Sequence, residues 1–376
     1  MSEKRAWLVL EDGTVFAGEA FGAIGETFGE AVFDTGMGAY QEMLTDPGHH
    51  RHIVVATAPH TGNTGWNEED SENPASRVWV AGYVVRDPSP RPSNWRSQRS
   101  LDEVLIEQGV VGMKGVDTRA LTTHLRRHGS TKAAITSSDT TPDDLLAKLM
   151  SQPDRSDAVL DVTTPTPYTV AAIGPEHGTV VAIDLGLTVG LTRQLARRGL
   201  TVRVLPASAS LADIDAAAAS ACFGVCLAGG PGDPASQSAM VDLAKGLLAG
   251  DAPILGVGLG AQVVARALGL DTHRLAASHH GVNQPVQRLS DGKIFITAHN
   301  HCYTFEAPEY GDALTDVGRV RLTHVAVNDG TPEGFELIQN STVRALGVQF
   351  NPAFGPRDTE PLLGDFATMV QAVANA

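Results

Sequence analysis

Hydrophobic and polar positions alternate in short runs through the first 136 residues. "WLVL" and "TVFAG" flank the turn "EDG", which predicts a hairpin; "EAVFDT", "HIVVATA" and "VWVAGYVV" predict further strands. Helices are marked by their starts. In "SLDEVLIEQG", Ser100 and Glu103 have capping-box spacing. In "VDTRALTTHLRRHG", Asp117 is placed as N-cap, Val116 and Leu121 as a hydrophobic staple, and Gly129 as the stop. "TTPDDLLAKLM" offers Thr141 as a cap and Pro142 at the first helical position. Strands and helices mixed in this way predict an N-terminal α+β domain over 1–150.

The pattern then loses its period. "SQPDRSDAVLDVTTPTPYTVAAIGPEHG", rich in Pro, Thr and acidic residues, reads as an interdomain connection over 151–178. From 179 the chain alternates regularly: "TVVAIDLG", "LTVRVLPA", "FGVCLAGG" and "APILGVG" as strands, with "LTRQLARRG", "SLADIDAAAAS", "SAMVDLAKGLLAG" and "AQVVARALG" as helices. Such alternation predicts βαβ units and an α/β domain with a mostly parallel sheet over 179–376. "KIFITAHNH", "THVAVNDG" and "RALGVQFNP" return to strands. Ligands bind beyond the carboxyl ends of parallel strands, where "LAGGPGDP", "GVGLGAQ" and "VQFNPAFGP" all fall.

Composition narrows the function classes. The 376 residues include 42% hydrophobic and 19% charged side chains, the balance of a globular chain with room for two cores. A formal charge of −15 argues against nucleic acid or an anionic membrane as partner. A protein or a small molecule is the expected partner. Cys222, Cys226 and Cys302 are too few for a disulfide framework, and Cys222 and Cys226 lack a second pair at metal spacing, so neither a metal nor another cofactor is expected. Cys222 and Cys226 read as core residues. With no secretory signal and no bilayer-length apolar run, a cytoplasmic location is expected.

"GVGLGAQ", residues 256–262, combines strand, glycine turn and helix, the setting in which hydrolases expose a nucleophile, yet Gly258 stands where the reactive atom belongs. Gly256, Gly258 and Ala261 also fit G-x-G-x-x-A formally. The acidic residue that a dinucleotide site needs about twenty positions later is absent from "AASHHGVNQ".

Further stretches carry a resemblance. "AYQEMLTDPGHH", "PHTGNTGWNEEDSE", "VRDPSPRPSNWRS" and "GVDTRALTTHLR" are similar to signatures of the small, glutaminase subunits of carbamoyl phosphate synthetase, and the C-terminal half resembles a class I glutamine amidotransferase domain. The resemblance implies a large synthetase subunit as partner, which makes carbamoyl phosphate from ammonia, bicarbonate and ATP for pyrimidine or arginine biosynthesis. It also implies a Cys–His–Glu triad, in which a thiol attacks the glutamine amide, an imidazole carries the proton and a carboxylate orients the imidazole. The family turn reads G-[IV]-C-[LF]-G-x-Q and the second signature Q-x-H-P-E. Here "GVGLGAQ" and "QFNPA" put Gly258, Asn351 and Ala353 at the three positions. The resemblance therefore implies a triad lost in full, and a chain that does not hydrolyse glutamine itself.

It implies a surviving cradle as well. Gly230 and Gly232 in "GGPGD", the N–H of Leu259, Gln262 and Asn300 match glutamine-holding positions, while Gly48, Cys302 and Tyr303 have drifted from Ser, Gly and Phe. Thr188 and Gly190 replace a Lys and an Asn of the family. Glutamine or a related small molecule is the ligand that such a pocket would take. Cys302, with His299 and His301 nearby in sequence, is a conceivable substitute nucleophile but reads as a small residue filling a glycine's place. His279 and His280 match a stretch that shapes the pocket rim. Two other functions remain open: glutamine hydrolysis by an unrecognised nucleophile, and a ligand-binding or regulatory role outside carbamoyl phosphate synthesis.

Overall fold

The computed structural model describes residues 4–153, 158–218, 223–308 and 311–373. The chain forms two compact units, Met1–Arg155 with Leu275–Gly281, and Ser156–Arg274 with Val282–Ala376. No helix among the described residues is long and apolar enough to cross a membrane.

The first unit is built on a closed seven-stranded barrel. Its strands are β1 (Arg5–Leu10), β2 (Val15–Gly22), β3 (Glu26–Asp34), β4 (His52–Ala56), β5 (Gly82–Val84), β6 (Val111–Lys114) and β7 (Thr131–Thr136). They run in the order β1-β2-β6-β5-β4-β3-β7 and close back on β1. The predicted hairpin is β1–β2, with Gly13 supplying positive φ (83°) in its turn. Leu8, Leu10, Phe33, Ile53, Val55, Met113 and Ile135 fill the interior. Among the described residues up to 150, four α-helices and one 3-10 turn decorate the unit, beginning with α1 (Tyr40–Thr45) and the turn Pro47–His49.

The other three are α2 (Leu101–Glu107), α3 (Thr118–His128) and α4 (Pro142–Met150). Their caps are those expected: Ser100 and Glu103 form a reciprocal capping box, and Asp117 Oδ1 and Thr141 Oγ1 accept from Ala120 N and Asp144 N. Leu145 and Leu149 of α4 pack on Val9 and Ala134 outside the barrel. "VWVAGYVV" yields only the three residues of β5 as strand.

The second unit begins with α5 (Ala158–Val162) and β8 (Tyr168–Val170). The stretch 151–178 is therefore not the bare connection expected: β8 pairs antiparallel with a neighbouring strand as the sheet's edge. Three residues at an edge are too few to leave a readable period. The unit continues with β9 (Gly178–Asp184), α6 (Val189–Ala196), β10 (Leu200–Pro206), α7 (Leu211–Ala218), β11 (Phe223–Leu227), α8 (Ser238–Ala249), β12 (Ile254–Val257) and α9 (Leu259–Ala267). It closes with β13 (Thr272–Arg288), β14 (Ile294–Phe305), β15 (Asp312–Thr315), β16 (Gly318–Ala326), β17 (Pro332–Gln339), β18 (Thr342–Val348) and α10 (Glu360–Val373).

The sheet order is β8-β10-β9-β11-β12-β18-β17-β16-β13-β14, with β15 on β16. The segment β10-β9-β11-β12-β18 is parallel, as the alternation predicts; antiparallel strands extend it on the β18 side. Both faces of the parallel part are covered. Val181 and Ile183 of β9 point into one core with α8 and α9, whereas Val180 and Ala182 point into another with α6 and α10. Burial on two faces explains why these strands read as unbroken apolar runs.

Candidate functional site

The carboxyl ends of β11, β12 and β18 bring the three loops of the second unit together. After β12 the chain bends at Gly258, with φ 53° and ψ −119°, and α9 starts at the next residue. Gly258 N donates to Val348 O over 2.8 Å, fastening the bend to β18. Gly260 N donates to Ala228 O over 3.1 Å, fastening it to the end of β11. The glycines have different causes. A Cβ on Gly256 would stand 2.7 Å from Ala261 Cα, and one on Gly260 would overlap the Leu227 carbonyl, so both allow close packing of α9 on the sheet. At Gly258 the nearest atom to a Cβ would be Gly229 Cα at 3.4 Å. Space is present there, and the backbone conformation is what favours glycine.

Beyond β18, Asn351 N donates to Ala298 O over 2.9 Å. The Asn351 side chain closes an Asx turn, its Oδ1 accepting from Ala353 N at 3.0 Å, and its Nδ2 reaches Thr188 Oγ1 at 3.4 Å. At the three positions that the resemblance singles out, the site therefore presents a hydrogen, a carboxamide engaged in its own loop, and a methyl group. None of these is a nucleophile or a base near neutral pH.

Gly230 packs so tightly on the loop after β9 that a Cβ would overlap the Leu185 carbonyl, while Gly232 is exposed with φ 102°. The loop after β9 is held by Asp184, whose Oδ1 accepts from Gly186 N (2.9 Å) and Leu187 N (2.7 Å) and whose Oδ2 accepts from Thr164 N (2.7 Å). Burial raises its carboxyl pKa against the lowering effect of those three bonds. Leu259 is buried as the first residue of α9. Gln262 is buried too, and its Nε2 donates to Tyr303 O (2.7 Å) and to Gln349 Oε1 (2.8 Å). Gln349 Nε2 donates onward to Thr304 Oγ1 (2.7 Å) and to Pro332 O. The amide of Gln262 thus ties α9 to β14 and to the loop after β18. Gln349 completes this link; its only sequence signal was its place at the head of "QFNPA".

Asn300, Cys302 and Tyr303 lie on β14, with Cys302 buried and the other two half-buried. Arg274 sits over the Tyr303 ring, 5.9 Å from its centroid. Strand pleating sends Cys302 to the face opposite His299 and His301. Those two histidines meet each other instead, His299 Nδ1 lying 3.0 Å from His301 Nε2. Gly48 belongs to the first unit, in the turn where Asp46 Oδ1 accepts its N–H at 2.8 Å. His280 belongs there as well, its ring 5.5 Å from His49 and 5.6 Å from His52, and its carbonyl accepts from Thr35. His279 lies on the same stretch of β13. Cys226 is buried in β11, which pushes its thiol pKa up to about 12; Cys222 lies outside the described residues.

Comparison with known proteins covers both units. The family model "Carbamoyl-phosphate synthase small chain, CPSase domain" matches residues 8–135, and "Glutamine amidotransferase class-I" matches residues 181–367. The chain is 47% identical over 372 residues to the carbamoyl phosphate synthase small chain of Streptomyces coelicolor, covering 97% of this chain and 96% of that protein. It is 45% identical over 375 residues to the protein of the same description from Mycobacterium tuberculosis strain H37Rv, covering 97% and 98%. A third, from Corynebacterium diphtheriae, is 44% identical over 374 residues, covering 98% and 97%.

Proposed function

Because this chain belongs to the carbamoyl phosphate synthase small-chain family, we propose that it acts as a small chain that does not hydrolyse glutamine, and that it serves as partner or scaffold to a large synthetase subunit using free ammonia. The observation that carries the reading is the bend at Gly258, which keeps the shape of a nucleophile turn and offers no reactive atom. A thioester with glutamine needs a thiol there, and glycine has none. Asn351 spends its side chain on the turn to Ala353, and Ala353 has no group to orient a base. Removing a whole triad of this kind lowers turnover by on the order of 10⁶. Pyrimidine or arginine biosynthesis is the use that such a complex would serve.

The test is glutamate release from purified protein given glutamine, with the Cys302→Ala variant alongside. No turnover above buffer is expected from either. Clear turnover in the parent that Cys302→Ala abolishes would instead establish a substitute nucleophile. Against that stands the pleat of β14, which turns Cys302 away from both neighbouring histidines. Partner binding is read separately by co-purification with a large synthetase subunit and by carbamoyl phosphate formation from ammonium. Failure to bind would favour a ligand-binding role outside this synthesis.

A further inference from the structure

We propose that His299, His301 and Glu333 of the second unit form a buried binding site for a divalent transition-metal ion of the zinc type. His299 and His301 come from β14 and Glu333 from β17. His299 Nδ1, His301 Nε2 and Glu333 Oε1 form a triangle with sides of 3.0, 3.5 and 3.6 Å. Donors bound to one tetrahedral zinc at 2.0–2.1 Å stand about 3.4 Å apart, so the triangle has the size of one face of such a site. All three side chains are buried: His299 and Glu333 are 0% exposed and His301 3%.

The outer hydrogen bonds fix which ring atoms face inward as lone pairs. Thr297 Oγ1 donates its single proton to Gln284 O at 2.8 Å, so toward His299 Nε2, 2.7 Å away, it must accept. That puts the proton of a neutral His299 ring on Nε2 and leaves a lone pair on Nδ1. His301 Nδ1 lies 2.9 Å from Tyr303 O, which can only accept, so a neutral His301 ring carries its lone pair on Nε2. Two nitrogen lone pairs and a carboxylate oxygen thus converge on one point, while a hydroxyl and a carbonyl hold the imidazoles from behind. This is how metal-binding histidines are oriented. A cation between them would neutralise the carboxylate and join both lone pairs; two imidazoles with one carboxylate suit zinc or cobalt better than magnesium or calcium. Sequence reading missed the site because Glu333 is more than thirty residues from the histidines.

The site stands independently of whether the chain hydrolyses glutamine. Its test is Co(II) and Zn(II) binding to the full chain after dialysis against a chelator, followed by the visible cobalt spectrum and by metal content after gel filtration. One equivalent per chain is expected, with the intense visible bands of four-coordinate Co(II), displaced by Zn(II). His299→Gln and Glu333→Gln should each weaken binding at least about 100-fold, and Thr297→Val, which keeps every ligand, by about 10- to 100-fold. Folding of each variant is checked by circular dichroism. A folded parent that takes up no metal overturns the proposal, because the cluster then holds only a shared proton. Uptake left unchanged in the folded Thr297→Val variant, or in either ligand variant that folds, overturns it equally.

Discussion

Gly258 donates its N–H to the carbonyl of Val348 across 2.8 Å, so the bend that opens α9 is held by the neighbouring parallel strand rather than by any side chain of its own. A side chain at 258 meets strain only in the backbone, at φ 53° and ψ −119°. Gly258→Ala is expected to cost about 1–3 kcal/mol in urea denaturation. Gly260→Ala should cost more and impair folding, since its Cβ would enter the Leu227 carbonyl. Equal, small effects at the two positions would show that α9 does not sit as closely on the sheet as described.

Restoring the family residues tests what else has changed. The combined variant Gly258→Cys, Asn351→His, Ala353→Glu is expected to recover glutaminase activity only in part, measured as glutamate release. Space for a Cβ at 258 exists, 3.4 Å from Gly229 Cα. Yet Thr188, the partner of the Asn351 amide, stands where the resemblance places a lysine, and Cys302 stands where it places a glycine. Activity at the level of an intact small chain would show that these surroundings do not matter.

The buried amide link is a third point of leverage. Gln349 joins Gln262, Thr304 and the Pro332 carbonyl, so Gln349→Leu would remove three hydrogen bonds from inside the second unit, although Gln262 keeps its bond to Tyr303 O. A loss of about 2 kcal/mol or more is expected in thermal or urea unfolding. The double variant Gln262→Leu with Gln349→Leu should lose less than the sum of the two singles, because the partners leave together.

What could be read from the sequence divides along physical lines. Caps such as Ser100–Glu103 and Asp117 are local, and the parallel segment from β10 to β18 follows from repeated strand and helix runs; both were legible. Closure of the barrel was not, because the β1–β7 pairing joins residues more than a hundred positions apart. β8 was hidden in a Pro- and Thr-rich stretch. Within the site, Gly258, Asn351 and Ala353 were visible through their places in two short signatures. The commitment of Gln262 to Tyr303 and Gln349, and the convergence of Glu333 on His299 and His301, depend on strands brought together only by folding.

The first unit carries a pH response of its own at Glu42. Burial, with lesser contributions from Asp70 and Glu72, pushes its carboxyl from an ordinary 4.5 up to about 7, against the lowering effects of a backbone hydrogen bond and Arg96. Folding therefore disfavours the ionised form. Below pH 4.5 the group is protonated in both states and exerts no penalty; between 4.5 and 7 the unfolded chain loses its proton first, so stability falls. Above pH 7 the penalty is constant, on the order of 3 kcal/mol by 1.36 kcal/mol per pH unit. Glu42→Gln should accordingly raise stability at pH 8 relative to the parent and flatten the slope between pH 4.5 and 7, while the two proteins converge toward pH 4. Urea midpoints measured across this range decide it: a variant less stable than the parent at pH 8 would mean that the ionised carboxylate is held favourably after all.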